Sequence, residues 1–196
     1  MCFNLFFNHT FNFTFLQISS IFQTNRLLIR RLIIDDLLDF SDLHADNEVM
    51  FYTETNGIDA AKSLLDFNRI IHQYNTPEND FWIWAIENKV NHEFIGICVF
   101  SNNSAKEIEL GYRLNKKFWR LGIGSEVFNG LVKHAFENEH AESVSAESDS
   151  FNIASLKIIE KQLNFVSEYY NTELKRLDYL YKLSKQEYFQ IQNECA

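Results

Sequence analysis

Apolar and polar positions along the chain change period several times, and each change marks an element. From 107 to 114 the alternation is strict. Ile108, Leu110, Tyr112 and Leu114 fall on one face and Glu107, Glu109, Gly111 and Arg113 on the other, which predicts a half-buried strand. Residues 24–32 read as an earlier strand, with Leu27 and Ile29 turned in and Arg26, Leu28 and Arg30 turned out. Asp35 and Asp36 then precede Leu37, Leu38, Phe40 and Leu43, an N-cap followed by helical spacing. Ala61, Leu64, Leu65, Ile71 and Tyr74 recur at helical intervals and predict a second helix over 58–74. A polar loop carrying Pro77 leads to strands over 81–87 and 94–100, with turns at 88–93 and at Asn102-Asn103-Ser104. Trp82 and Trp84 share one strand face and are read as core before substrate pocket. Further on, Val127, Phe128, Leu131, Val132, Ala135 and Phe136 predict a helix. A strand over 143–148, a helix over 154–163 and closing strands over 165–170 and 179–183 complete the order β-α-α-β-β-β-α-β-α-β-β. That order contains a central meander and one strand–helix–strand crossover.

The crossover turns on Phe118-Trp119-Arg120-Leu121-Gly122-Ile123-Gly124-Ser125-Glu126. Two glycines one residue apart, where a strand passes into a helix, let bare backbone approach a ligand. The helix start presents unpaired N–H groups and the positive end of the dipole. Together they form a phosphate cradle, with the N–H groups of Leu121, Gly122, Ile123, Gly124 and Ser125 as donors. A tight turn is the plainer reading of a Gly-x-Gly standing alone. No Gly-Lys-Ser/Thr follows, so the loop is not that of a nucleotide-hydrolysing P-loop protein.

Composition narrows the partners. The 196 residues carry a formal net charge of −9, which argues against nucleic acid or an anionic membrane and suits an amine-bearing substrate. Three scattered cysteines suggest a reducing, cytoplasmic setting without a disulfide framework. The six histidines have no metal-ligand spacing, so no metal is expected. Six of the nineteen Phe lie between Phe3 and Phe15 with no Lys or Arg before Arg26, unlike a signal peptide. Residues 1–22 are therefore read as a poorly ordered extension, 23–188 as one domain and 189–196 as a tail. The sequons at Asn8 and Asn12 matter only in a secreted chain.

These elements, with these residues in place, resemble the GCN5-related N-acetyltransferase (GNAT) superfamily, and within it the RimJ/RimL-type branch that acetylates ribosomal-protein N-termini. The resemblance rests on Thr24-Asn25-Arg26-Leu27-Leu28-Ile29-Arg30, on Asp46-Asn47-Glu48-Val49-Met50-Phe51-Tyr52-Thr53, and on Phe94-Ile95-Gly96. It continues through Glu109-Leu110-Gly111-Tyr112, the glycine loop, and Asn152-Ile153-Ala154-Ser155 followed by Glu160-Lys161 and Phe165. Two departures stand out. Trp119 occupies the usual Gln/Arg position of the cofactor loop. The branch's Lys-Leu-Gly-Phe ending is here Lys161-Gln162-Leu163-Asn164-Phe165, with Asn164 expected to supply a left-handed cap.

The resemblance implies an α/β (α+β) fold: a mixed, mostly antiparallel sheet of six to seven strands, about four flanking helices, and a splay between the two central strands. It implies direct acetyl transfer from acetyl-CoA to a primary amine, a protein N-terminus or a small amine, in a ternary complex formed by a monomer or homodimer. No cysteine lies near the proposed site motifs of the glycine loop and Asn152–Ser155, so no covalent acetyl-enzyme is suggested. A non-catalytic acyl-CoA-binding module is the competing reading. Glu109 is the candidate general base, or else a solvent-facing strand residue. Ser155 is the candidate donor to the leaving sulfur, or else a helix-start serine. Asn152 is a cap, or an amide that positions ligand. The backbone of Tyr112, Arg113 and Leu114 is expected to pair with the pantetheine amides like an added strand. The cradle from Leu121 to Ser125 would take the pyrophosphate, with Arg120 beside it and Lys157 more exposed.

Overall fold

A computed structural model describes residues 20–53, 57–102 and 106–194. The phenylalanine-rich start, both sequons, Cys2, Cys195 and most of the expected turn at 102–104 lie outside the described residues. Eight strands form one sheet in the order β1-β2-β3-β4-β5-β6-β8-β7. β1 (Ser20–Gln23), β2 (Leu27–Arg31), β3 (Phe81–Asn88), β4 (Phe94–Asn102) and β5 (Glu107–Leu114) run antiparallel in succession. β5 meets β6 (Ser143–Asp149) in parallel, and β7 (Asn164–Asn171) and β8 (Arg176–Ser184) close the far side. The helices are α1 (Leu37–Ala45), α2 (Asn47–Met50), α3 (Ala60–Gln73), α4 (Ile123–Glu137), α5 (Ile153–Ile159) and α6 (Lys185–Glu194). The mixed, mostly antiparallel sheet is the expected one, with more strands and helices than anticipated.

The additions have local causes. β1 extends the sheet by pairing with β2 across the turn at Thr24–Arg26, and it begins inside the stretch read as an extension. α2 forms because Asp46 caps it, accepting from the N–H of Glu48 and Val49. α6 occupies most of the expected tail. Tyr188 anchors it by stacking on Phe136 at 4.6 Å and donating to Glu137. α5 is shorter than the predicted helix, ending at Ile159, and Leu163 is buried in the turn that follows. Asn164 is not a left-handed cap. It opens β7 in extended form, and its amide donates to Glu187.

The core lies between the sheet and its helices. Phe40, Phe67, Phe128, Phe136, Leu27, Ile29 and Leu131 are fully buried. Trp84 packs against Phe100 and His134, and Trp82 stacks on Tyr74, so both tryptophans belong to the packing. Arg30 does not face solvent as its alternation suggests. It is 3% exposed, donates to both carboxylate oxygens of Asp36 at 2.7 and 2.8 Å, and meets Glu87 at 2.5 Å. Burial alone would lower its pKa; the two carboxylates more than reverse that.

Candidate active site

β5 is eight residues long and β6 seven, yet they pair only at Glu107–Ser143, Ile108–Val144 and Glu109–Ser145. Beyond Glu109 the strands part. Strand alternation tells which main-chain groups face the opening. Asn115 donates its N–H to Ile95 in β4, so the odd-numbered residues of β5 turn their backbone toward β4. The backbones of Tyr112 and Leu114 therefore face the gap, and that of Arg113 does not. The carbonyl of Leu114 is taken by the indole N–H of Trp119 at 2.9 Å, a role unseen in the sequence. The remaining N–H and C=O groups of the open edge need partners from outside the sheet.

Side chains sort by the same alternation. Tyr112 points to α4, its ring centroid 6.3 Å from that of Phe128. Arg113 points the other way, toward α1, where it donates to Nε2 of His44 at 2.9 Å. His44 is buried and donates from Nδ1 to the carbonyl of Phe40 at 2.7 Å, leaving Nε2 as acceptor. Burial, and secondarily the charge of Arg113, pushes its pKa down to about 4, so it is neutral at ordinary pH. Burial pushes Arg113 down to about 10. The backbone of Arg113 is spent on Ile97 in β4, and its side chain on His44. The structure thus brings Tyr112 and Leu114 to the opening but not Arg113.

The loop closing one end of the gap is built from left-handed residues. Arg120 has φ 61° and Gly122 φ 76°. Left-handed turns spaced this way gather N–H groups into an anion-binding nest. α4 begins at Ile123, and its first internal bond runs from the N–H of Glu126 to Gly122. The N–H groups of Ile123, Gly124 and Ser125 therefore have no acceptor within the helix. Glu126 in this first turn is not a free charge against an anion. It accepts from Thr24 and from the backbone and Nε of Arg26 at 2.5–2.8 Å, and these bonds outweigh burial in lowering its pKa. Arg26 also donates to the carbonyl of Leu121, which ties the loop to the start of β2. A Cβ on Gly124 would lie 3.0 Å from Cδ1 of Ile158 and 3.1 Å from Cε2 and Oη of Tyr112. The backbone here is bare because the space above it is filled.

α5 faces the gap from the β6 side. Asn152 is its N-cap, accepting from the N–H of Ser155 at 3.2 Å, so its cap reading holds. Burial pushes the pKa of the Tyr112 hydroxyl up to about 12. The helix-side position of Tyr112 follows from its alternation. Lys157 lies on the exposed side of α5.

Glu109 sits where β5 and β6 last pair, on the face opposite Tyr112. Ser145 and Glu147 of β6 share that face. Tyr169 of β7 donates to Glu147 at 2.5 Å. Burial, Glu147 and more distantly Asp178 and Glu109 raise its pKa. Arg176 ties this region to the end of α2, donating to the carbonyl of Tyr52 and pairing with Asp178. No group of three or more His, Cys, Asp or Glu among the described residues is arranged to hold a metal. No helix among them is long and apolar enough to cross a membrane.

The open strand edge, the nest and the bare first turn of α4 fit a long ligand with amides at one end and a diphosphate at the other. The acetyltransferase (GNAT) domain model matches residues 26–162. The uncharacterized N-acetyltransferase YjdG of Bacillus subtilis (strain 168) is 29% identical over 168 residues, covering 82% of this chain and 98% of its own. Among solved structures, spermidine N-acetyltransferase from Vibrio cholerae in complex with CoA and spermine superposes with a TM-score of 0.71 at 14% identity, over 84% of this chain and 98% of that one. Mycobacterium smegmatis RimJ in complex with CoA-disulfide gives 0.70 at 12%, over 82% and 83%.

Proposed function

We propose, for a chain that belongs to the GNAT acetyltransferase family and is an acyltransferase, direct acetyl transfer from acetyl-CoA to a primary amine in a ternary complex. The acceptor is a protein N-terminus or a small amine, as the likeness of its motifs to the RimJ/RimL-type branch suggests. One observation carries the reading: β5 and β6 part immediately beyond Glu109, and the gap runs toward an anion nest at the start of α4.

The thioester, when bound, supplies an activated acetyl group; the rest falls to this chain. The backbone of Tyr112 and the N–H of Leu114 hold the pantetheine arm as a neighbouring strand would, and one N–H polarises the acyl carbonyl. The N–H groups from Leu121 to Ser125 hold the pyrophosphate, with Arg120 at the rim. An alkyl amine has a pKa of about 10.4 and must lose a proton to attack near neutrality. Glu109, on the acceptor face, takes that proton directly or through water. Ser155, across the gap on α5, donates to the departing sulfur.

The test is thiol release from acetyl-CoA with N-terminal peptides, polyamines and amino sugars. Glu109→Gln is expected to lower the rate by about a hundredfold near neutral pH, where general bases contribute most. The loss should shrink as the pH nears about 10, where the amine deprotonates unaided. An equal loss at every pH removes Glu109 as the base, and no thiol release with any amine overturns the acceptor class.

A further inference from the structure

The acceptor face of β5 carries a charge at each end and nothing between. Glu109, Gly111 and Arg113 share that face, and β4 sets Ser101, Val99 and Ile97 beside them. Glu109 is exposed, Gly111 is half-buried, and Arg113 is half-buried where it meets His44 of α1. A Cβ on Gly111 would meet nothing nearer than Cβ of Val99 at 3.7 Å. The strand therefore offers a low, open floor that runs from the proposed base to a guanidinium.

That guanidinium lacks a counter-charge. Among the described residues its one acceptor is Nε2 of His44 at 2.9 Å, an atom of a neutral ring. The carbonyl of Phe40 fixes His44 in turn, so the imidazole holds one N–H of Arg113 and leaves the other four to a ligand. Arg30, by contrast, meets two carboxylates. Asp66 of α3 acts on His44 but pairs with Arg69, and Lys116 and Lys117 just beyond β5 are taken by Glu48 and Glu93. Burial pushes Arg113 down, and no neighbouring acid holds it up. A desolvated cation without an anion is costly, and one built in this way suits an anion that arrives with the substrate. None of its nitrogens is sealed from solvent without a partner, so a ligand can reach them.

We propose that Arg113 is the anion subsite of the acceptor: it binds a carboxylate that the reacting amine carries at a distance, across the open floor over Gly111. This rests on the proposed amine transfer and narrows its acceptor. Glu109 and Arg113 stand about 13 Å apart along the strand. Their side chains use part of that span. A carboxylate about 7 Å from the amine, the length of two extended residues, fits the remainder. An N-terminal peptide with an acidic second or third residue has this spacing, and so does lysine presenting its side-chain amine. The planar fork of arginine takes a carboxylate by two parallel bonds. Arg113 stays out of cofactor binding, because its backbone is paired in β4 and its side chain leaves the gap.

The experiment follows thiol release by the whole protein over acceptor concentration, with matched acceptors. One set is C-terminally amidated peptides that differ by Asp or Asn at the second or third position. The other is lysine against cadaverine, the same diamine without the carboxylate. In one set kcat/KM is expected to favour the acid by about tenfold or more, the worth of hydrogen bonds to a charged group. A preference among the peptides identifies a protein N-terminus as acceptor; a preference for lysine identifies a small amino acid. Arg113→Gln should bring that preference below about twofold, chiefly through KM for the acceptor, with KM for acetyl-CoA within about twofold. Arg113→Lys, which keeps the charge and loses the fork, should retain about threefold; unfolding temperatures verify both folds. Equal kcat/KM within both sets in the parent protein overturns the proposal and leaves the amine transfer standing. A full preference in Arg113→Gln, or a loss confined to acetyl-CoA binding, does the same. No thiol release with any amine overturns both.

Discussion

The two glycines of the loop are predicted to respond to alanine in opposite ways. Gly122 has φ 76°, and a Cβ there would meet nothing nearer than Nη2 of Arg26 at 3.6 Å. Its methyl has room but its backbone does not suit an L-residue, at a cost of about 1–2 kcal/mol. The loss of chain freedom in the unfolded state returns about 0.4–1 kcal/mol. Gly122→Ala should therefore be destabilised by about 1 kcal/mol, a fall of about 2–4 °C in Tm for a chain of this size. Gly124 is already helical, so alanine gains up to about 1 kcal/mol in propensity. Its Cβ would stand 3.0 Å from the terminal methyl of Ile158 and 3.1 Å from the ring and hydroxyl of Tyr112. Ile158 can rotate its methyl away. Tyr112 cannot move without leaving Phe128. Gly124→Ala should thus keep its Tm within about 2 °C and lose acetyl-CoA affinity and turnover by about tenfold or more. Thermal unfolding by circular dichroism, calorimetric titration with CoA and initial rates give the three readings. Full affinity and turnover in Gly124→Ala would refute the cradle. An unchanged Tm in Gly122→Ala would refute the left-handed geometry.

Two further predictions concern the frame around the site. His44 titrates near 4 in the fold against about 6.5 in the unfolded chain, so the unfolded state binds more protons between those values. Stability is then complete above about pH 6.5 and falls as the pH drops toward 4, by about 3 kcal/mol in all at 1.36 kcal/mol per unit. Urea unfolding of His44→Gln should show a correspondingly flatter profile across that window, and a slope equal to that of the parent would exclude His44 as its source. Asp36→Ala leaves the buried Arg30 with Glu87 as its one carboxylate partner and should cost about 3–5 kcal/mol, read as a shift in the urea midpoint; a loss under about 1 kcal/mol would mean that water reaches the guanidinium.

The legible parts of the sequence were those set by neighbours. The alternation from Glu107 to Leu114 has the observed bounds because one face is core and the other is not. The glycine loop was legible because two glycines at a strand–helix junction mark a left-handed backbone at Gly122 and a close approach at Gly124. What stayed hidden depends on distant partners. Arg30 read as solvent-facing because alternation reports the chemistry of a side chain and not the carboxylates waiting for it on Asp36 and Glu87. Arg113 read as a backbone ligand because the direction of its main chain depends on where β4 pairs. Arg120 shows no sign of its left-handed φ, since arginine is an unusual residue to adopt it.

The three-pair seam between β5 and β6 has a mechanical meaning as well. Five strands stand on one side of it and three on the other, and little else in the sheet joins the two slabs. A pantetheine arm lying against the free edge of β5 would behave as a keystone, supplying the sheet with contacts the polypeptide leaves out. The reactant would then stiffen the catalyst. Departure of the spent carrier would slacken the joint, and the looser frame that remained would be the one that receives the next acetyl-CoA.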